Sequence, residues 1–484
     1  MPASNDSPWF TRPLWIGLFV FLVLLVIKFD TLTEPPAWDA AMSVHPAALT
    51  LAVNGFDYPD LLDSPGYAGG GPNTHSLSTY TAVVAIAYTL FTPTTAVTVL
   101  HLLTFLLAAL TVAGIVRLAS VYLPSGYAVA AGLTSLSVPV VLTQFGMIYL
   151  EAPVLAASTW AMVAAVERRW PAAAAFCTLA TTVKPSGLII ALAVGLFWLA
   201  NYRSVWQAAV IVTPSSLLGL FIRAFEPDLL RPTIVRSVAV WRASWDYLVH
   251  VPDIWLFVLA ASVASVVLSR RKGPDHDARL GDLWFWVLFG FIAFYAALGS
   301  AALTTLPRYY IQILPLAVVT VFVGLHRRFG IGALTVVMVA TALVSVVNFN
   351  GGLYPRNDLS NFALIERSDA YDDLLATEVA MARAICELPG EIPVRFSSAE
   401  RYRLSYPAMG YADCKDRAGP FRPNTIDLDE LGAVTFVAYE EVFWAGPELS
   451  DLVTRAPTPA WTIETYDVIR VGEYEQVILL VTRR

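Results

Sequence analysis

Charge is scarce in this chain. Only 14% of its 484 residues are Asp, Glu, Lys or Arg, where ordinary soluble domains carry about 25%. Lysine is rarer still and stands only at Lys28, Lys184, Lys272 and Lys415. The three cysteines, Cys177, Cys386 and Cys414, are too few for a disulfide framework or a cysteine metal site. The glycine tract GGGP, ending at Pro72, lacks the Gly-Lys-Ser/Thr of a phosphate loop, so no ATPase is implied. No internal repeat, coiled coil or low-complexity tract is present. The net charge of −7, carried largely by loops and the C-terminal tail, argues against a nucleic-acid partner.

What the chain has instead is apolar length. Hydrophobic residues make up 57% of it, and the mean hydropathy is +0.61. A soluble reading would need a core larger than one unit of this length builds. Apolar runs separated by arginines predict a polytopic α-helical membrane protein of about eleven transmembrane helices. The expected spans are Pro13–Phe29, Thr95–Val116, Gly126–Thr143, Ala152–Val166, Pro171–Val183 and Ser186–Ala200. They continue with Val205–Phe225, Val251–Ser269, Leu283–Leu303, Ile311–Leu325 and Ile331–Val347. The run Pro13–Phe29 is followed by DTLTEPPAWD and no small-residue cleavage site, so it reads as an uncleaved first span.

Basic residues set the expected orientation. Arg117, Glu167–Arg169, Arg203, Arg270–Arg279 and His326–Arg328 fall at alternate ends of the spans. With the N-terminus in the cytoplasm, all of them face the cytoplasm, as the positive-inside rule requires. That parity holds if Ser78–Phe91 lies on the outer surface as a juxtamembrane helix and if KPSG at Lys184–Gly187 is a turn between two spans. The outer side then collects the long first loop (30–94), Glu151, Lys184, the loop Glu226–His250, LPRYY at Leu306–Tyr310 and the C-terminus. Beyond Asn348 charges become frequent. Residues 372–388 have helical spacing, and four later stretches read as strands. The expected division is therefore a transmembrane domain, 1–348, and a small extracytoplasmic α/β domain, 349–484. If that tail is extracytoplasmic, Cys386 and Cys414 can pair; two free thiols are the other reading.

Chemistry needs polar groups at an apolar boundary, and few are offered. Asp39 precedes a surface helix in the first outer loop; it is either a helix cap or a general base held above the membrane. Glu151, alone between two apolar runs, cannot sit ionised at the bilayer centre without a cost of at least a few kcal/mol. It is placed at the outer mouth. Two such carboxylates can share acid–base work, activate an acceptor hydroxyl, or hold a divalent metal. Asp57, Asp60 and Asp63 are spaced like a cation loop or like solvated turns. Lys184, between two apolar runs, and Arg308, beside Tyr309, are either interface anchors or contacts to phosphate. Arg231, Arg236 and Arg242 give an outer loop positive charge against the usual trend, a hint of an anionic ligand. His45 and His75 are candidate substrate contacts in the first loop.

The order WDAAMSVHPAALTLAVNGFDYP, GPNTHSLSTY, MIYLEAP, ATTVKPSGLIIAL and LPRYYIQILPLAVV resembles the GT-C superfamily of membrane glycosyltransferases. The resemblance is to the branch of protein mannosyltransferases and aminoarabinose transferases that use polyprenyl-phosphate sugars. It spans most of residues 13–325. It implies an essential acid in the first outer loop, matched by Asp39, although many members have Asp-Glu where this chain has Asp39-Ala40. It implies a second acid before the fourth span, matched by Glu151, and an inverting transfer to a lipid, glycan or protein acceptor. The same reading has Lys184, Arg308, Tyr309, His45, His75 and Arg231 bind substrate, and membrane lipids surround the chain. A transporter or lipid-linked-sugar flippase would also account for charges among apolar runs, but transporters often carry internal repeats. A silent membrane scaffold would leave Asp39 and Glu151 freely replaceable.

Overall fold

Proline and glycine decide where the apolar runs of this chain become separate helices. The computed structural model describes residues 11–36, 40–58, 77–224, 252–270, 275–297, 307–349, 370–389, 392, 394–396, 406–414, 421–422, 434–440, 461–471 and 474–483. Helices form at Thr11–Ile27, Thr79–Leu90, Pro93–Ser120, Glu151–Val166, Trp170–Val183, Gly187–Tyr202, Val205–Ala224 and Pro252–Arg270. The expected single segment Gly126–Thr143 is two helices, Ser125–Ser137 and Pro139–Gln144. Val138 between them is extended, as the residue before a proline prefers. The segment expected from Leu283 is helical from Asp275. Its charged first turns are held by the ion pair of Asp277 with Arg327, whose Nη2 donates to Oδ1 at 3.2 Å while Nε lies 2.8 Å from Oδ2. The last two expected spans form one run, Leu314–Phe349, broken at Gly330, whose φ of 82° suits only glycine well.

Contacts divide the chain into two compact units. The first comprises Met1–Phe29, Leu102–Tyr354 and Glu366–Ser368; the second comprises Asp30–His101, Pro355–Ile365 and Asp369–Arg484. In the first unit the helices pack in antiparallel neighbours, Glu151–Val166 on Trp170–Val183 and Gly187–Tyr202 on Val205–Ala224. The contact faces are lined with alanine, valine and glycine, which let backbones approach closely. Outward faces are apolar too. Trp15 is 67% exposed, Val26 77%, Leu220 66% and Val263 67%, a pattern that water-facing helices avoid. Two helices, Pro93–Ser120 and Leu314–Leu343, are long and apolar enough to cross a bilayer; the other apolar helices among the described residues are shorter.

In the second unit a five-stranded mixed sheet has the order β2-β1-β3-β5-β4. Its strands are β1 (Val394–Phe396), β2 (Phe421–Arg422), β3 (Val434–Glu440), β4 (Trp461–Val471) and β5 (Tyr474–Arg483). β1 runs parallel to β2 and β3, while β5 pairs antiparallel with β3 and β4. The amphipathic helix Ala370–Glu387 lays Met381 and Ile385 on Val394, Phe436 and Ile478 to close a small core. Cys386 and Cys414 are joined by a disulfide. It ties the end of that helix to the segment Tyr406–Cys414. From there Tyr406 donates to Pro36 O and Tyr411 to Thr33 O, each at 3.1 Å. Burial, and then the charge of Glu34, push the Tyr411 phenol well above its ordinary value.

Candidate active site

Three turns of the first unit bring Glu151, Lys184 and Arg308 together. The first precedes Glu151–Val166. Glu151 opens that helix, where the positive end of the helix dipole favours a carboxylate. Pro153 fits there because a first-turn residue needs no backbone N–H partner. The second turn follows Trp170–Val183. Pro185 disfavours the helical conformation for Lys184, which is extended (φ −148°, ψ 134°) and ends the helix. The chain reverses at once, with Gly187 N donating to Lys184 O at 2.8 Å. Gly187 is required by close approach: a Cβ there would strike the Ala180 carbonyl and the Thr181 nitrogen. The third is the 3-10 turn Pro307–Tyr310, which carries Arg308 and Tyr309.

Lys184 Nζ donates to Glu151 Oε1, and Arg308 Nε lies 3.7 Å from the same oxygen. All three residues are buried: 1% of Glu151 is exposed, 7% of Lys184 and 6% of Arg308. Two tyrosine rings wall the cluster. Lys184 Nζ is 5.3 Å from the ring centres of both Tyr149 and Tyr309. Arg308 Cζ is 5.4 Å from the first and 5.8 Å from the second. Such rings offer their negative faces to cations. Gln312 Nε2 donates to Ser186 Oγ at 2.6 Å and so ties the Arg308 turn to the Lys184 turn.

Among the described residues two cations thus meet one carboxylate oxygen. Lys184 and Arg308 are of the side-chain types suited to the oxygens of an anion such as a phosphate.

Of the residues singled out in the sequence, the structure brings together Glu151, Lys184, Arg308 and Tyr309. Asp39, His75 and Arg231 lie outside the described residues, as do Asp60 and Asp63. His45 belongs to the second unit. It is fully buried at the start of the helix His45–Val53, and its Nδ1 is 2.6 Å from the Tyr88 hydroxyl. Burial pushes the Tyr88 phenol up, so it stays protonated beside the imidazole. Among the described residues no three His, Cys, Asp or Glu side chains gather into a metal site. Sequence reasoning missed Tyr149, Ser186 and Gln312. Each lies within four positions of a residue it did single out, the one signal available.

No protein-family model matches the sequence, and no curated protein matches it. Among solved structures, the chain aligns with ArnT from Cupriavidus metallidurans bound to undecaprenyl phosphate. The TM-score is 0.50 at 13% identity, over 97% of this chain and 98% of that one. The same protein in the apo state aligns with a TM-score of 0.46 at 14% identity, over 96% and 97% of the two chains. At this identity the likeness is one of fold, and it extends over nearly the whole length of both chains. The chain has the ArnT fold, in keeping with the GT-C resemblance of its sequence.

Proposed function

We propose that this protein is a membrane glycosyltransferase that moves a sugar from a polyprenyl-phosphate donor to an acceptor hydroxyl on the extracytoplasmic face. The observation that carries the proposal is the buried cluster of Lys184 and Arg308 around Glu151. The ArnT fold supports it, since that protein was crystallised with undecaprenyl phosphate bound. So do the outward apolar side chains of the helices, which favour a multi-pass protein of the plasma membrane. The N-terminus is cytoplasmic and the sheet-bearing tail extracytoplasmic on this reading. About eleven helices cross.

The chemistry follows from where charge develops. Outside the cytoplasm a nucleotide sugar is not at hand, so the donor sugar arrives on a lipid phosphate whose tail stays in the bilayer. The acceptor oxygen attacks the anomeric carbon from the face opposite the phosphate. As the new C–O bond forms, the old bond to the phosphate oxygen breaks and its electron pair stays with the departing polyprenyl phosphate. Asp39 takes the acceptor's proton. Lys184 and Arg308 stabilise the second charge that appears on the phosphate, which is the larger catalytic contribution in such reactions. Glu151 holds both cations in place, and the anomeric configuration inverts.

The test uses the purified protein in lipid with short-chain polyprenyl-phosphate sugars, following release of free polyprenyl phosphate. Wild type releases it. Asp39→Asn is slower by about 10²–10⁴-fold, the usual worth of a general base. Lys184→Met weakens binding of farnesyl phosphate about 10-fold or more, the value of a hydrogen bond to a charged group. Release unchanged in Asp39→Asn would remove that residue from the mechanism. Farnesyl phosphate binding indifferent to both Lys184 and Arg308 would sink the phosphate assignment.

A further inference from the structure

On elements that adjoin the turns of the ion cluster stand polar ends that the described residues leave unmatched. Glu151 Oε2, Gln144 Oε1 and Gln312 Oε1 are buried and have no hydrogen-bond partner among them. Gln144 is fully buried and Gln312 is 3% exposed. Gln144 ends the short helix Pro139–Gln144, which packs against the Arg308 turn, and its amide reaches only the Met147 sulfur at 3.6 Å. Gln312 follows that turn and is fastened to Ser186 in the Lys184 turn. Turning either amide over exchanges its oxygen and nitrogen and still leaves one end unmatched. Native interiors leave few such groups.

The chemistry of the unmatched ends restricts what can meet them. Phosphate oxygens satisfy Lys184 and Arg308 but only accept, so they offer nothing to carboxylate or amide oxygens. A metal ion or an ammonium group would face two cations at close range. Hydroxyl groups donate and accept, carry no charge, and suit either orientation of an amide. We infer that Gln144 and Gln312, with Glu151 Oε2, hold the hydroxyls of the donor's sugar, and that this sugar is neutral. The inference rests on the phosphate reading of Lys184 and Arg308, and it makes the glutamines specificity-determining residues.

The experiment compares wild type, Gln144→Leu and Gln312→Leu in lipid by two readouts. Titration uses farnesyl phosphate, farnesyl-phosphate pentoses and hexoses, and an amino-sugar counterpart. Wild type binds a neutral sugar-bearing lipid more tightly than bare farnesyl phosphate, and each variant loses about five- to tenfold of that preference. Affinity for bare farnesyl phosphate stays the same in Gln144→Leu; Gln312→Leu also loses the tie to Ser186 and is judged by the preference, the ratio of its two affinities. The second readout is thermal unfolding without lipid: Gln144→Leu unfolds at a higher temperature than wild type, because an unmatched buried amide has gone. A merely structural glutamine would lower it. The inference is overturned if both variants keep the sugar preference, if no neutral sugar confers one, if the amino sugar binds best, or if Gln144→Leu unfolds earlier. Failure of wild type to bind bare farnesyl phosphate would instead overturn the phosphate reading beneath it.

Discussion

Glu151 and Lys184 form an ion pair in the interior, and Arg308 approaches the same carboxylate oxygen at 3.7 Å. The pair joins the start of one helix to the end of the next, since Glu151–Val166 and Trp170–Val183 are antiparallel neighbours. One carboxylate therefore fixes two cations that three separate turns deliver.

Removing the carboxylate tests that dependence. In Glu151→Gln both cations stay buried and lose the carboxylate they share. Breaking a buried pair from one side costs about 3–5 kcal/mol. We expect an earlier thermal unfolding transition in lipid, part of which is recovered when farnesyl phosphate is added. A variant as stable as wild type would show that the cluster is solvated.

The Lys184 turn depends on a missing side chain. Gly187→Ala places a Cβ against the Ala180 and Thr181 backbone, and backbone cannot yield as a side-chain tip can. Overpacking of this kind costs about 1–3 kcal/mol. It also moves Lys184, so farnesyl phosphate affinity falls together with stability. Gly332→Ala is the control: a Cβ there meets nothing within 4 Å, and neither quantity falls.

The disulfide has a separate consequence. Cys386 and Cys414 are 28 positions apart, and a cross-link closing a loop of that size contributes about 3–4 kcal/mol on the chain-entropy account. Replacing both by serine lowers unfolding stability by that order. Hydrogen exchange then quickens in Tyr406–Cys414 and in Thr33–Pro36, the backbone its tyrosines hold. Unchanged exchange at Thr33–Pro36 would show that the tyrosines, not the disulfide, keep it.

Tyr411 gives the second unit an alkaline limit. Its phenol in the folded protein lies above the ordinary 10.0, through burial first and Glu34 second. A raised folded value means that its contribution is complete below about pH 10 and is lost as pH rises beyond that, because the unfolded chain gives up the proton first. Stability measured from about pH 8 to about pH 11 declines at the alkaline end, and Tyr411→Phe declines less steeply.

The helices were legible in the sequence because their cause is local. Lys184-Pro185 ends one helix and Gly330 breaks another, whatever packs around them. Val138-Pro139 carried the same signal; an apolar count overrode it, and one expected segment proved to be two. The helix Ala370–Glu387 and four strands were legible by period, whereas the two-residue β2 is too short to show one. Glu151, Lys184, Arg308 and Tyr309 stood out because charge and aromatic rings are conspicuous in apolar runs. Gln144, Tyr149, Ser186 and Gln312 did not, since nothing in their composition marks them.

By itself the sequence determined that the chain is helical and apolar, where most helices stop, and which few charges remain for chemistry. Those follow from residue types and their immediate neighbours. The tertiary structure decided that Glu151 is the shared partner of Lys184 and Arg308. It also decided that Cys386 meets Cys414, and that Gln144 and Gln312 are buried on elements that adjoin the turns of the charge cluster. These are contacts between residues far apart in the chain. Only the packing of helices, which depends on every apolar face at once, brings them within reach.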